Sequence, residues 1–146
     1  MSSSIQGEEY VDAKISKVGY GDNLGLQGVV VLTSFDGKEF TMSAFSGEVA
    51  RHISRFQEGD KNSIPTIYNL VEEIAVSQNM LLEEVHIYQS GTDSEGHVIR
   101  ANLYFRNRGN TVVLRNYRAS DAIALAAYYD APIKVRSGLF KEAIER

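Results

Sequence analysis

The stretch from Val98 to Arg106 alternates apolar and polar residues over its whole length, and this pattern constrains the fold more than any other feature. One side carries the apolar residues Ile99, Ala101, Leu103 and Phe105, and the other carries Arg100, Asn102, Tyr104 and Arg106. Successive side chains of a strand point to opposite faces of its sheet. The sequence therefore predicts a half-buried strand with one polar, solvent-facing side.

Comparable signals predict the other elements and their order along the chain. Further strands are predicted over residues 10–18, 27–33, 38–44, 83–89, 111–116 and 133–135. Helices are predicted after Ser46, from Pro65 and after Ser120, with the two serines as N-caps. Strands and helices that come in groups are typical of the α+β class. We therefore expect an α+β fold, a compact roll of mostly antiparallel strands with about three helices in a single domain.

Composition sets the organisation of the domain. The first nine residues are small, polar and acidic, and predict a disordered N-terminal tail over 1–9 that leaves 10–146 as the domain. The chain has no cysteine, which excludes disulfides and thiolate metal sites. It begins without the pattern of a signal peptide and has no apolar run that could span a bilayer, so we expect a cytoplasmic protein without membrane contact.

The charge is unevenly distributed along the sequence. The net charge is −4, but from His97 onward the chain has nine Lys and Arg against four Asp and Glu. One interpretation is a basic binding face on an acidic body. The other is that the two halves interleave in the fold and their charges mix.

The outward row of the alternating strand combines cations with an aromatic ring. Arg100, Tyr104 and Arg106 share this row, and Arg115 follows on the next predicted strand. Guanidinium groups bind phosphates and aromatic rings stack on bases, so these four residues are candidates for nucleic-acid contact. A solvated sheet face or a dimer surface would show the same pattern.

Two other features carry weaker signals. The Gly-rich segment 19–25 contains Gly-x-Gly, but a strand follows it where a phosphate-binding loop requires a helix. A hairpin loop is therefore the better interpretation.

His52 follows Glu48 by four residues, so the two could share a helix face and bind a metal, or form an ordinary surface pair.

The most specific local string is Arg118-Ala119-Ser120-Asp121, which opens an alanine-rich helix. In one interpretation Ser120 caps the helix and Asp121 complements its dipole. In the other, Asp121 holds Mg²⁺ or Mn²⁺ while Arg118 binds a phosphate through two hydrogen bonds.

This string, followed by Ala131-Pro132-Ile133-Lys134-Val135, resembles the hallmark of the bifunctional nuclease domain family. The resemblance implies a homodimeric α+β roll that cleaves DNA and RNA with the help of a metal. It also implies that Asp121 and Glu48 hold Mg or Mn, that Arg118 positions a phosphate, and that Ser120 orients Asp121. We accordingly expect a metal-dependent nuclease whose partners are DNA or RNA and a second copy of the chain.

The second predicted helix departs from the family pattern. The family commonly begins this helix with Arg-Pro and continues with Thr-His-Asp-Leu. Ile64, Ile67, Tyr68 and Asn69 stand in place of the Arg, Thr, His and Asp. This departure keeps a second hypothesis open, a non-catalytic domain of the same fold that binds nucleic acid or pairs with protein.

Overall fold

The computed structural model describes residues 9–93 and 96–141, without the side chains of 92, 93, 96 and 97. Within these residues seven strands form one sheet and three α-helices pack on it. The strands are β1 (Tyr10–Tyr20), β2 (Gln27–Ser34), β3 (Glu39–Ser46), β4 (Met80–Asp93), β5 (Gly96–Asn107), β6 (Asn110–Arg118) and β7 (Ile133–Arg136). The helices are α1 (Gly47–Gln57), α2 (Ile67–Ser77) and α3 (Ala119–Tyr129), and a 3-10 turn follows at Ser137–Leu139. The predicted α+β class and single domain are confirmed.

The sheet consists of two antiparallel meanders joined by the last strand. Its order is β3-β2-β1-β7-β4-β5-β6. In the described residues β7 pairs antiparallel with β1 and parallel with β4, while the other neighbours are antiparallel. The four residues of β7 therefore close the gap between the meanders, and Ile133 and Val135 point into the core.

The core lies between the curled sheet and the helices, and α3 is its central element. Most residues of α3 are buried, including Ile123 and Ala124, which are fully so. Alanine side chains leave room for a helix to approach a sheet closely. Of the apolar residues on β5, Ala101, Leu103 and Phe105 are buried and Ile99 is partly buried against the core.

The helix starts differ in part from the expected ones. Ser46 is the N-cap of α1 and accepts a hydrogen bond from the Glu48 N–H, as predicted. The N-cap of α2 is Thr66, so Pro65 precedes the helix instead of opening it. The prediction that Ser120 caps α3 is wrong, because β6 runs directly into the helix at Arg118 and Ser120 is a buried helical residue.

The apolar face of α2 is the other departure from expectation. The helix forms where the spacing predicted it, yet Ile67, Leu70 and Ile74 are about half exposed or more. Its buried residues are Tyr68 and Ala75. Helix α2 thus rests on the core along a narrow line and presents an aliphatic stripe to the outside.

The ends and loops also bear on the sequence predictions. The predicted disordered tail lies outside the described residues except for Glu9, whose carbonyl accepts a hydrogen bond from the Ser137 N–H. Strand β1 extends to Tyr20, so the predicted Gly-rich loop begins later, at Gly21. None of the helices in the described part of the chain combines the length and apolarity that crossing a bilayer requires.

Candidate active site

Three helices direct their first turns toward one region. Glu48 lies in the first turn of α1, Tyr68 in the first turn of α2, and Asp121 in the first turn of α3, directly after the N-cap residue Arg118. The N-terminus of a helix carries unpaired N–H groups and a positive end of its dipole. This end of the fold therefore favours anionic side chains and anionic ligands.

Arg118 and Asp121 form the central pair of the site. The Arg118 Nε and Nη2 atoms donate to the same carboxylate oxygen of Asp121, Oδ2, at 2.9 and 2.8 Å. The side chains of Arg118 and Asp121 are 70% and 39% exposed, so a pair of this kind contributes little to stability. Both groups remain open to solvent and to a ligand.

Tyr68 connects this pair to α1. Its side chain is buried, and its phenol lies close enough to Asp121 for the carboxylate to raise the pKa of the phenol. Burial raises the pKa of the Tyr68 phenol to about 12, with the charges of Asp121 and Glu48 adding to the rise and that of Arg118 opposing it. The charges of Glu48, Arg118 and Asp121 are therefore all within electrostatic range of the Tyr68 phenol.

His52 contributes a neutral imidazole on the α1 side. Its Nδ1 lies 2.9 Å from Nη2 of Arg55, which can only donate, so the second ring nitrogen, Nε2, carries the proton. Nε2 lies 3.9 Å from a carboxylate oxygen of Glu48. Burial lowers the pKa of His52, and the nearby positive charge of Arg55 lowers it further. The imidazole is therefore neutral, with its N–H on the ring nitrogen nearer Glu48 but beyond hydrogen-bond distance of that carboxylate.

A recess of about 390 Å³ opens beside these groups. Its walls include Glu48, Arg51, His52 and Arg55 from α1 and Ile64 from the loop before α2. The recess is lined by two guanidinium groups and by two carboxylates, Glu48 in the first turn of α1 and Glu58 at its C-cap. Its volume lies in the range of small-molecule sites.

The residues that depart from the family pattern in α2 have defined roles. Asn69 accepts a hydrogen bond from the Thr66 N–H at 3.0 Å and closes a capping box. Its Nδ2 also donates to the Lys61 carbonyl at 2.9 Å and to the Tyr128 hydroxyl at 3.2 Å. Asn69 therefore holds the helix start in place, whereas Tyr68 faces the site.

The predicted nucleic-acid row lies on the outer face of the sheet. Tyr104 stacks on His86 with ring centroids 4.1 Å apart, and Arg106 forms an ion pair with Glu83 at 2.7 Å. Arg115 is exposed on edge strand β6. Arg100 pairs in register with Arg118, so this row begins next to the candidate site.

The fit to a divalent ion depends on the two carboxylates. Among residues 9–93 and 96–141, no three His, Asp or Glu side chains form a group that could hold a metal ion. Glu48 and Asp121 nevertheless supply hard carboxylate oxygens, and Mg²⁺ commonly binds one or two carboxylates together with water and substrate phosphate. The chemistry of these two side chains fits such an ion, which a phosphate ligand would help to hold.

The fold and these groups define a class of protein. It is an α+β domain that carries carboxylate, guanidinium and phenol groups at the N-termini of its helices. A family model for the bifunctional nuclease domain matches residues 30–145. The chain belongs to this family, and it is a nuclease-like domain related to nucleic acids. A comparison with curated proteins gave no match.

The raised pKa of Tyr68 predicts a loss of stability at alkaline pH. The phenol stays protonated in the folded state up to about pH 12, whereas the unfolded chain releases this proton near pH 10. Stability is therefore unaffected below pH 10 and falls as the pH rises from 10 to 12, by roughly 2 kcal/mol. Urea unfolding of the wild type and of Tyr68→Phe across this range should show a shallower decline in the variant. Parallel curves would contradict the assignment.

Proposed function

We propose that the protein is a nuclease that hydrolyses phosphodiester bonds of DNA or RNA, with Mg or Mn held by Glu48 and Asp121. The observation that carries this proposal is the solvent-accessible Arg118–Asp121 pair at the start of α3, with the Tyr68 phenol within electrostatic range of both Asp121 and Glu48. Membership of the bifunctional nuclease domain family supports the same activity. A cytoplasmic location and a homodimer, both predicted from the sequence, belong to this proposal.

Each side chain has a role in this mechanism. Glu48 and Asp121 would hold the divalent ion, which when bound would supply an activated water and neutralise charge that develops on the phosphate. The Arg118 guanidinium has donors left over from its contact with Asp121 and uses them to hold a phosphate oxygen. Ser120 packs in the first turn of α3 and supports Asp121 through the backbone of that turn.

The identity of residue 68 as tyrosine affects the expected rate of phosphodiester cleavage. The Tyr68 phenol has a pKa raised to about 12, so at neutral pH it stays protonated and does not act as a base. The neutral His52 has its one free lone pair, on Nδ1, occupied by the Arg55 guanidinium and carries its proton on Nε2. A base for the attacking water is therefore limited to the carboxylates, and we expect slow cleavage compared with a nuclease that has a dedicated histidine base.

The second candidate function is nucleic-acid binding without catalysis. The outer sheet face supports it, because the rings of Tyr10, His86 and Tyr104 stack in sequence at 4.6 and 4.1 Å. The Arg136 guanidinium lies over Tyr10 at 5.3 Å, and Arg100 and Arg106 extend the same face. Cations beside aromatic rings suit single strands, in which bases are free to stack.

One experiment separates the two candidate functions. The full chain is incubated with a labelled single-stranded oligonucleotide and either Mn²⁺, Mg²⁺ or a chelator, and the products are resolved by gel. The nuclease proposal expects metal-dependent products that increase with time. Binding without products in any metal would leave the non-catalytic function, and neither binding nor products would contradict both.

The outer row predicts a measurable salt dependence of binding. Arg100→Ala is expected to weaken binding to a single-stranded oligonucleotide and to reduce the slope of log K against log salt by about 0.7, the value for one phosphate contact. Fluorescence anisotropy over a range of salt measures both quantities. Lys17→Ala removes one exposed positive charge from β1 and is the matched control. Equal effects in both variants would mean that only overall charge matters.

A further inference from the structure

The exposed face of α2 is a feature that the candidate site does not use. Ile67, Leu70 and Ile74 are 62%, 48% and 56% exposed, and Ile64 just before the helix is 49% exposed. Aliphatic side chains this exposed in one row are unusual on a monomer. Helix α2 has only Tyr68 and Ala75 buried on its other side, so most of its apolar surface is unused within the described part of the chain.

We propose that this stripe, Ile67-Leu70-Ile74, is the surface through which two copies of the chain pair. The proposal rests on the homodimer included in the proposed function, and it specifies which face forms it. The partner is a second α2 helix that lies antiparallel to the first. The pairing supports the start of α2, where Tyr68 faces the candidate site.

The spacing of the stripe argues for a second α2 as the occupant. Ile67, Leu70 and Ile74 are separated by three and then four residues, which is the a-d-a pattern of helices that pack against one another. Ile67 and Ile74 are also equally distant from the midpoint of the stripe, between Leu70 and Val71. A two-fold axis through that midpoint makes the surface complementary to itself, as a symmetric dimer requires.

The area of the patch agrees with a dimer. Four half-exposed aliphatic side chains present on the order of 400 Å² of apolar surface, compared with roughly 800 Å² per partner in a standard interface. About 60% of a typical interface is apolar, so the stripe and its rim reach the usual size. The charged residues of α2, Glu72 and Glu73, are not part of the stripe.

The pairing also explains how a weakly anchored helix can position a site residue. Tyr68 and Ala75 hold α2 to the core along one line, with the Thr66–Asn69 capping box fixing its start. Contact along Ile67, Leu70 and Ile74 would cover α2 from its other side. The Tyr68 phenol would then be held near Asp121 by packing on both sides of the helix.

The test compares two glutamate variants of the same helix. Light scattering coupled to size exclusion should give twice the chain mass of 16.2 kDa for the wild type at micromolar concentration. Leu70→Glu places two like charges near the two-fold axis and should give the single-chain mass. Val76→Glu, at a site 65% exposed on another side of α2, is the matched control and should remain dimeric. Far-UV circular dichroism checks that both variants are folded.

Cysteine cross-linking gives a second measurement that does not depend on losing the dimer. The chain has no cysteine, so Leu70→Cys introduces a single thiol near the proposed axis. Mild oxidation should convert this variant to a disulfide-linked dimer rapidly and Val76→Cys only slowly. A monomeric wild type, equal cross-linking at the two positions, or a dimer that survives Leu70→Glu would overturn the proposal. These measurements need no nucleic acid, so a negative result here leaves the nuclease proposal to its own test.

Discussion

Replacement of Gly47 by alanine is expected to destabilise the protein by about 3 kcal/mol and to displace the first turn of α1. A Cβ atom at this position would lie 1.9 Å from the Gly25 carbonyl oxygen and 3.2 Å from the Leu26 carbonyl carbon. Both neighbours are backbone atoms, so the clash cannot be relieved by a side-chain rotation. The Gly47 N–H also donates to the Leu26 carbonyl at 2.9 Å, which fixes the close approach.

The measurement for Gly47→Ala is urea unfolding followed by circular dichroism. Gly19→Ala is the matched control, because no atom lies within 4 Å of a Cβ atom built there. That variant should stay within about 1 kcal/mol of the wild type. Since Glu48 is the next residue, Gly47→Ala should also weaken any metal-dependent cleavage. A Gly47→Ala protein as stable as the control would show that the β1–β2 loop can move away at little cost.

Local patterns of the sequence were sufficient for most elements of the fold. The alternation on β5 predicted its buried face correctly because the residues of one face all meet the same core. Capping by Ser46 was also predictable, since the interaction spans two residues. The position of β7 between β1 and β4 was not, because it depends on pairing between segments far apart in the chain.

Two predictions, for Ser120 and for helix α2, were wrong or incomplete. Both concern whether a side chain is buried in the folded protein. Serine is a residue type that commonly caps helices. Here strand β6 continues directly into α3, so Ser120 lies within the first turn of the helix and packs against the core. The stripe on α2 has the spacing of a core-facing helix, yet it faces outward. Periodicity reports which residues share a side of a helix, and it does not report what covers that side.

The candidate site was predictable only in part. The resemblance pointed to Glu48, Arg118 and Asp121 and to a changed residue at position 68. It did not indicate that Tyr68 would lie near Asp121, or that Arg55 would fix the proton on His52, since the first proximity depends on the fold and the second on how the side chains pack. The spacing of His52 from Glu48 was the one local signal for the α1 side of the site.

The substitution Asp121→Asn is expected to reduce metal-dependent cleavage by about 100-fold or more, with little effect on folding. Asparagine keeps the size of the side chain and an oxygen that can accept from Arg118 and Tyr68. It removes the negative charge, and a neutral amide is a much weaker ligand for a divalent cation than a carboxylate. The Arg118 pair is largely exposed, so its loss costs little stability.

Asp130→Asn is the matched control, because it makes the same chemical change at the opposite end of α3. Asp130 is the C-cap residue in a left-handed conformation, which asparagine also adopts readily. Initial rates on a single-stranded oligonucleotide in Mn²⁺ should fall for Asp121→Asn and stay near the wild-type rate for Asp130→Asn. Thermal unfolding of both variants separates a lost ligand from a lost fold. Full cleavage by a folded Asp121→Asn protein would mean that the metal ligands lie elsewhere or that the nuclease is a contaminant.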